Sequence, residues 1–591
     1  MSPKTTPALL ALALGLAPLA VTASTTAIES GRLAPPLEAI EAASTDGQRM
    51  APVLARFAAD LRAVEHVHDI RFGPARRDAL GRLHAAWRDR LGEIDPAALG
   101  LEDRVDHLLF ARELDYRDTQ LRFERERVTE AAGLLPGIDA VFELLEARRR
   151  LEYPDGRASA DVLDTVRRQL DARERAMAGD LEAALRGTRP VVAFRAAGIL
   201  DASRQALEAW HGFHAGYDPE LTWWIDGPYR ALDESMERYA ATLRRAAGAD
   251  DPETIIGDPI GREALLADLD YEMVPYTPEE LVRIAERELV WIRAQMEDAA
   301  RELGYTDWRD ALEYVKTRHP APGEQPRLVR ELAEEAVVFL RERDLVTIPD
   351  LSTRDWRMNM LSPERQLQAP FFLGGIDVWV AFPTSDMPHE RRLNSLRGNN
   401  RHFSRAVVHH ELIPGHHLQY FMNQRYQTHR NLFRTPFWTE GWALYWEFLL
   451  YDLGFAQSPE DRIGMLFWRA HRAARIQFSL GFHLGTMSPQ QAIELLVDNG
   501  HERENAAAEV RRSFAGDYPP IYQAAYMLGG LQFRALHEEF VQSGRMSDRD
   551  FHDFILQGGI MPVAMVRARL LGEAPPAEGY RPDWRFYPGI R

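Results

Sequence analysis

The stretch RAVVHHELIPGHHLQYF, residues 405–421, places four histidines around one glutamate and interrupts them with Pro414 and Gly415. Imidazole nitrogens and carboxylate oxygens are the ligands that Zn²⁺ takes from a protein without thiolates. The chain has no cysteine, so any metal site in it must use histidine, aspartate or glutamate. Ordinary polar contacts explain a lone histidine, but not this cluster. The stretch therefore predicts a site for one Zn²⁺ per chain.

An unbroken helix cannot bring these histidines together. His410 and His416 would lie about 600° apart around its axis, and His410 and His417 about 10.5 Å apart along it. Two nitrogens that bind one zinc ion lie within about 4 Å of each other. Pro414 and Gly415 allow a local break in the helix. A break that absorbs two residues moves His416 beside His410, so we prefer His416 to His417 as the second ligand.

The third ligand is expected on a following helix, within EGWALYWE, residues 440–447. Glu440 follows His416 at a distance that suits a second helix packed antiparallel to the first. Glu447 lies on roughly the same face, but about 10.5 Å further along. Both carboxylates cannot bind one ion. We therefore predict Glu440 as a ligand and Glu447 as a residue that supports the ligands.

Together the two motifs resemble those of the bacterial domain of unknown function 885 family, H-E-x-x-P-G-H followed by E-G-W-A-x-Y-x-E. That family is in turn similar to helical zinc peptidases of the thimet oligopeptidase and angiotensin-converting enzyme type. The resemblance covers most of the chain after the N-terminal segment. It implies a mainly α fold, a large helical clamshell with a deep cleft. Zinc would lie at the floor of the cleft, near a small β hairpin or sheet.

The resemblance also implies a reaction. It predicts an exported zinc-dependent metallopeptidase that hydrolyses the peptide bonds of short peptides. Glu411 would act as the general base on a zinc-bound water, which would be the nucleophile. Tyr526 or His483 would stabilise the oxyanion. Each of these two residues has an alternative interpretation, as a core aromatic for Tyr526 and as a capped or core histidine for His483.

Later parts of the chain match the family pattern incompletely. Arg475, Arg511 or Arg512 would hold a peptide carboxylate, although a salt bridge is the commoner role of any one arginine. Ser479 stands where the family tends to carry an aspartate. Tyr522 stands where it tends to carry a glutamine. The wall of the substrate site is therefore expected to differ from that of typical members.

Two alternative functions are compatible with the same predicted site residues. One is a metal-dependent amidase that acts on a non-peptide substrate, and the other is a non-catalytic exported binding protein. Glu411 argues against the second, because a protein that only binds has no need of a general base. The formal net charge of −18 argues against nucleic-acid binding. The chain lacks a G-x-S-x-G motif, which disfavours a serine hydrolase.

The N-terminal residues have the composition of a secretory signal peptide. Lys4 precedes the apolar run of residues 7–21, and Val21-Thr22-Ala23 is a small-residue cleavage pattern. We expect residues 1–23 to be removed and the protein to be secreted or periplasmic. The absence of cysteine argues against lipid attachment after cleavage. No stable membrane anchor is expected.

Helical patterns dominate the remaining sequence. Thr277-Pro278-Glu279-Glu280 predicts a capped helix start, and the segments after Ser458 and Ser488 repeat that pattern. The proline-rich segment HPAPGEQP, residues 319–326, predicts a loop. We take it as a hinge between an N-terminal helical half, residues 24–318, and a catalytic helical half, residues 319–591.

One segment has a strand-like composition. FFLGGIDVWVAF, residues 371–382, is rich in aromatic and β-branched residues and contains a pair of glycines. We predict a strand or hairpin there. Residues 375–381 would present a free edge to which an extended peptide substrate adds as a strand. A buried hairpin under the helices is the alternative.

Overall fold

The computed structural model describes residues 37, 48–181, 185, 187–249, 254–366, 371–515, 518–576 and 579–590. The predicted signal peptide lies outside these residues. Within them the chain is mainly α-helical, as predicted. None of the helices described is long and apolar enough to cross a membrane.

The first part of the chain is a series of helices. They are α1 Met50–Val67, α2 Pro74–Gly92, α3 Leu101–Ala131, α4 Ile138–Arg149, α5 Gly156–Gly179, α6 Pro190–His214, α7 Pro219–Ala246, α8 Gly261–Tyr271, α9 Pro278–Glu302, α10 Trp308–Lys316 and α11 Gln325–Glu342. Short 3₁₀ segments lie at Pro96–Ala98 and Ala132–Leu134.

The second part carries both predicted motifs. Its helices are α12 Pro363–Gln366, α13 His389–Gly398, α14 Arg401–Glu411, α15 His416–Asn423, α16 Pro436–Asp452, α17 Pro459–His483, α18 Pro489–Asp498, α19 Arg503–Phe514, α20 Tyr522–His537, α21 Asp548–Gln557 and α22 Val563–Leu571. Short 3₁₀ segments lie at Asp350–Thr353 and Thr428–Leu432, and a π-helical turn at Glu538–Gln542.

The helix starts predicted from capping residues are found. The Thr277 hydroxyl accepts from the backbone N–H of Glu280 at the start of α9, and the Glu280 side chain accepts from the N–H of Thr277. Ser488 and Gln491 form the same reciprocal pair at the start of α18. Ser458 caps α17. Local hydrogen bonds of this kind depend on a few neighbouring residues, so sequence alone predicts them.

Two large hydrophobic cores organise the helices. One core joins α1–α3 with α8–α11 and with the helices of the second part, and the other joins α4–α7. The predicted hinge loop, residues 319–326, lies between α10 and α11. Both of these helices contribute to the first core. The division of the chain into two halves stays a prediction.

A two-stranded parallel sheet is the β-structure of the described residues. Strand β1, Met358–Met360, pairs with strand β2, Val378–Val380. On its other side, the N–H and C=O of Trp379 bond the backbone of Leu373 at 2.7 and 2.9 Å. The strand is therefore hydrogen-bonded on both sides. The predicted free edge is wrong at Val378–Val380, because Leu373 already occupies it.

Five helices meet around the predicted metal ligands. Helix α14 packs against α15, α16 and α17, and α20 packs along both α16 and α17. Helix α16 is buried over nearly its whole length. This arrangement places the two sequence motifs and the C-terminal helix α20 around one point.

Candidate metal centre

The predicted break lies between α14 and α15. Helix α14 ends at Glu411 and α15 begins at His416. At Gly415 a β-carbon would overlap the carbonyl oxygen of His410, so only glycine fits this close approach. The Trp442 indole donates to the carbonyl of Pro414 at 2.9 Å, which ties the break to α16.

The break brings His410, His416 and Glu440 together. Nε2 of His416 lies 3.1 Å from Oε2 of Glu440, and Nε2 of His410 lies 3.6 Å from the same oxygen. One ligand atom of each residue lies within 4.8 Å of the others. Ligand atoms of a tetrahedral zinc site lie about 3.4 Å apart. The three residues therefore fit a zinc ion with an open fourth position.

Each histidine is oriented through its other nitrogen. Nδ1 of His410 lies 2.7 Å from Oε1 of Glu447, the supporting residue predicted from the sequence. Nδ1 of His416 lies 3.2 Å from Oε1 of Gln419, whose amide donates to the carbonyl of Trp438. Partners of this kind fix the tautomer that leaves Nε2 for the metal. Gln419 was missed from the sequence, although its position one turn after His416 was a usable signal.

The alternative ligand His417 points away from the group. Its Nε2 lies 2.9 Å from the carbonyl oxygen of Ser352 and 2.9 Å from Oδ1 of Asp355. The side chain is buried there. Two consecutive helical residues project in directions about 100° apart, so only one of the pair can face His410.

The pKa values of His416 and Glu440 are strongly shifted by their mutual attraction. Although burial opposes the charge, the Glu440 carboxylate raises the pKa of His416 to about 9. Despite its own burial, Glu440 has a pKa well below the usual range because both histidines stabilise the carboxylate. A divalent cation would displace the histidine protons and take over this stabilisation.

Glu411 lies beside the three residues at the end of α14. Burial raises the pKa of its carboxyl group, and the nearby His410 and His416 oppose that rise. A β-carbon on Gly374 would overlap Oε2 of Glu411, so the backbone at Gly374 lies directly against this carboxylate. Glu411 remains partly exposed. The Glu411 carboxylate therefore lies between the predicted ligand group and the Gly374 backbone that forms part of the cavity wall.

Two tyrosines of α20 complete this side of the site. The Tyr526 ring lies nearly parallel to the His410 ring, with centroids 6.1 Å apart. The Tyr522 hydroxyl donates to Oε1 of Glu440. The two tyrosines are four residues apart and therefore share a helix face. Tyr522 is a site residue that the sequence marked only as a departure from a pattern.

A cavity of about 650 Å³ opens beside the predicted metal ligands His416 and Glu440. The glycines of the β-segment, Gly374 and Gly375, form part of its wall. The neutral polar side chains that line it are Gln419, Tyr420, Asn423, Gln424, Asn431 and Thr439. The volume is within the range of small-molecule sites, which is roughly 300–1,000 Å³.

Residues 65–570 match the sequence pattern of one protein family. The chain belongs to the DUF885 family. The family is described as bacterial proteins of unknown function. No curated protein matches this chain.

Two solved structures resemble the DUF885 chain. One is a presumed lipoprotein of unknown function from Shewanella oneidensis, with 16% identity and a TM-score of 0.63, covering 89% of this chain and 100% of that one. The other is a presumed lipoprotein from Colwellia psychrerythraea, with 16% identity and a TM-score of 0.57, covering 89% and 98%. At this identity the likeness shows a shared fold.

His483 is a predicted site residue that the DUF885 chain does not bring to the metal group. It ends α17 and lines a different cavity, with Phe514 and Pro520. Burial and the charge of Arg127 lower its pKa to about 4. On the same helix α17, the Arg472 guanidinium lies 4.8 Å from the centre of the Tyr526 ring, and His483 lies eleven residues further along, or about 16 Å. An oxyanion donor must lie within about 3 Å of the reacting oxygen, so the predicted oxyanion role of His483 is not supported.

Arg475 and Arg512, the predicted substrate arginines, share one carboxylate. Nε of Arg475 lies 2.7 Å from Oε1 of Glu509, and Nη2 of Arg512 lies 2.5 Å from Oε2. The Ser479 hydroxyl donates to the carbonyl of Pro520 at 2.9 Å. Ser479 therefore bonds the backbone and does not orient a histidine.

A second group of possible ligands, His537, Asp548 and His552, is a hydrogen-bonded core cluster. Nδ1 of His552 lies 2.7 Å from the carbonyl oxygen of Leu345, and the Tyr445 hydroxyl lies 2.8 Å from its Nε2. Burial lowers the pKa of His552 to about 3. Both ring nitrogens of His552 have protein partners, so this cluster does not have the free ligand atoms that a metal needs.

Proposed function

We propose that the chain is an exported zinc-dependent metallopeptidase that hydrolyses short peptides. The observation that carries the proposal is the position of Glu411. This partly exposed carboxylate follows the predicted ligand His410 directly in sequence, interacts electrostatically with His410, His416 and Glu440, and lies against the backbone of Gly374 in the cavity wall. A site that only stored a metal would have no use for it.

The residues that would hold the zinc ion are His410, His416 and Glu440. Zinc bound there supplies Lewis-acid chemistry, which polarises water and a carbonyl oxygen. Glu447 and Gln419 keep the two imidazoles in the tautomer that binds a metal through Nε2.

Glu411 is the proton carrier of the proposed reaction. It accepts a proton as the water oxygen forms a bond to the carbonyl carbon of the peptide. It then gives that proton to the amide nitrogen as the C–N bond breaks. A raised pKa suits this double role, because the group must both accept and release the proton near neutral pH.

Tyr526 is the residue best placed to stabilise the oxyanion. Its ring lies beside His410, and the side chain stays partly exposed. Burial raises the pKa of its hydroxyl well above the usual range, so the group remains a donor. Removing one such donor costs about 10²- to 10³-fold in rate in other enzymes.

Two further observations support the substrate size and the location. The cavity of about 650 Å³ lies among helices and suits a few residues of extended chain more than a folded protein. The two structural neighbours are described as lipoproteins, a class of exported proteins. Both neighbours share this chain's fold, which supports export of this chain.

The test is zinc quantification combined with digestion of a peptide library by the wild type and Glu411→Gln. We expect about one zinc per chain in both proteins, and at least a 10²-fold lower turnover in the variant. The control is Glu390→Gln, which changes an exposed carboxylate.

Three outcomes separate the proposal from its rivals. A zinc-loaded wild type that cleaves non-peptide amides and no peptides would identify the amidase. A loaded protein that cleaves neither would leave a binding function. Equal turnover by Glu411→Gln would remove the general-base role.

A further inference from the structure

A group of buried arginines lies directly behind the metal site. Arg472 and Arg475 are on α17, with 6% and 2% of their surfaces exposed. Both guanidinium groups lie over the ring of Tyr526, 4.8 and 4.6 Å from its centre. Arg512 joins them from α19.

The nearby carboxylates do not balance the positive charge of these three arginines. Among the described residues, Glu509 is the acidic partner of Arg475 and Arg512, and it is bound by both. Gln523 donates to the same carboxylate at 2.9 Å. Two of the three arginines therefore share one glutamate, and the third has no acidic partner of its own among the described residues.

Arg472 is the residue left over. Within the described part of the chain it has no carboxylate within salt-bridge distance, and its buried Nε has no hydrogen-bond partner. Its contacts are with the rings of Trp468, at 5.2 Å, and Tyr526. Aromatic faces attract a cation weakly and do not satisfy its N–H groups. A buried charge without a partner destabilises a fold, so its retention calls for a ligand.

The other charged groups near Arg472 do not fill this role. Glu411, Glu440 and Glu447 attract it at a distance. Glu411 is the proposed base, and the other two carboxylates are held by the two histidines. His471 is buried, and its burial keeps its pKa well below the usual range. His471 is therefore neutral and does not change the charge around Arg472.

The position of Arg472 relates it to the reaction. The Tyr526 ring separates its guanidinium from the His410 ring, whose centre lies 6.1 Å beyond that of Tyr526. The centre of the Arg472 guanidinium therefore lies at most about 11 Å from the centre of the His410 ring, a distance that about three residues of extended peptide can span. Arg475 and Arg512, predicted from the sequence, are paired with Glu509, whereas Arg472 has no acidic partner among the described residues.

We infer that Arg472 binds a carboxylate of the substrate within a few residues of the scissile bond. The inference rests on the proposed peptidase function and adds the chemical class of the substrate. A guanidinium binds a carboxylate with two parallel hydrogen bonds, which gives both strength and orientation. Two sources supply that group, the free C-terminus of a short peptide and an aspartate or glutamate side chain.

The kinetic test compares three matched peptides: one with a free C-terminus, its C-terminal amide, and an amide with glutamate after the scissile bond. For the wild type we expect kcat/KM to be at least tenfold higher for a peptide with a carboxylate than for the plain amide. The amide with glutamate shows whether a side-chain carboxylate can replace the C-terminal one. Arg472→Met should lose the preference, and Arg472→Lys should retain part of it.

Arg469 provides a matched control on the same helix. It is equally buried, with 5% of its surface exposed, but is paired with Glu288 at 2.7 Å. Arg469→Met should keep the carboxylate preference and lower Tm by several degrees, because it leaves Glu288 unpaired. Arg472→Met should lower Tm little or not at all. A fall equal to that of Arg469→Met would make Arg472 a structural residue and overturn the inference.

A binding test separates the failure of this inference from failure of the proposed function. Calorimetry with the Glu411→Gln variant measures the binding of the same peptides without their cleavage. We expect the carboxylate-bearing peptide to bind at least tenfold more tightly than the plain amide, and Arg472→Met in that background to abolish the difference. Equal binding would overturn the inference even if the wild type proves to be a peptidase. If the affinity difference between the two peptides depends on Arg472, the carboxylate site stands even if no peptide is cleaved.

Discussion

The Tyr522 hydroxyl donates a hydrogen bond to Oε1 of Glu440, whose other carboxylate oxygen faces His410 and His416. The bond links α20 to α16 across 82 residues of sequence. The bond leaves the other oxygen of the Glu440 carboxylate free to bind a metal and fixes the plane of the carboxylate. Tyr522 would therefore act on a bound metal through the predicted ligand Glu440.

Tyr522→Phe removes this hydrogen bond and little else. We expect zinc affinity to fall about 10- to 100-fold, as it does when a supporting partner of a ligand is lost. Competition with a chromogenic chelator measures the change. Tyr518→Phe is the control, because the Tyr518 ring stacks on Tyr522 with centroids 4.7 Å apart but is not bonded to a ligand. Equal affinities for both variants would count against the role of Tyr522.

His416 and His417 make a paired test of the ligand set. His416→Ala should lose bound zinc, whereas His417→Ala should retain it, because His417 faces Ser352 and Asp355. The second variant should instead lose roughly 1–3 kcal/mol of stability with its buried hydrogen bonds. Metal analysis and thermal unfolding distinguish the two effects. Zinc retained in His416→Ala and lost in His417→Ala would reverse the assignment.

Gly374→Ala tests the wall next to the proposed base. The added β-carbon would occupy the space of the Glu411 carboxylate, which must then move. We expect kcat to fall by about 10²-fold or more, the lower end of a general-base contribution, with zinc retained. Gly212→Ala is the control, since a β-carbon there meets no neighbour. Wild-type turnover in Gly374→Ala would show that Glu411 does not need its present position.

Glu272 makes stability depend on pH. Burial, with smaller contributions from Asp268 and Glu113, raises its pKa to about 8, against about 4.3 in an unfolded chain. The native protein therefore holds a proton that the unfolded chain releases, and stability falls as pH rises from about 5 to about 8. In Glu272→Gln, the loss of stability between pH 5 and pH 8 should be smaller than in the wild type by a few kcal/mol.

Thermal unfolding of the metal-free protein at pH 5 and pH 8 measures the effect. The Thr435 hydroxyl donates to Glu272, and glutamine keeps an oxygen that can accept this bond. Glu263→Gln is the control, because its side chain is 74% exposed. If the wild type and Glu272→Gln lose the same stability between the two pH values, the carboxyl does not carry the raised pKa.

The sequence by itself determined the features that depend on near neighbours. These are the helical class, the capped helix starts at Thr277 and Ser488, and the helix break at Gly415. Each follows from hydrogen bonds or steric limits within about one turn of chain. The spacing within the motifs also placed His410, His416 and Glu440 in one candidate group, because a broken helix and its successor leave few other arrangements.

Only the tertiary structure decided which distant side chains reach that group. Tyr522 and Arg472 come to the site because α20 and α17 pack beside α14 and α16, and no local pattern sets that packing. The same packing leaves His483 in another cavity and pairs Arg475 with Glu509. Helical periodicity tells which residues share a face, whereas the contacts of that face depend on the register of whole helices against one another.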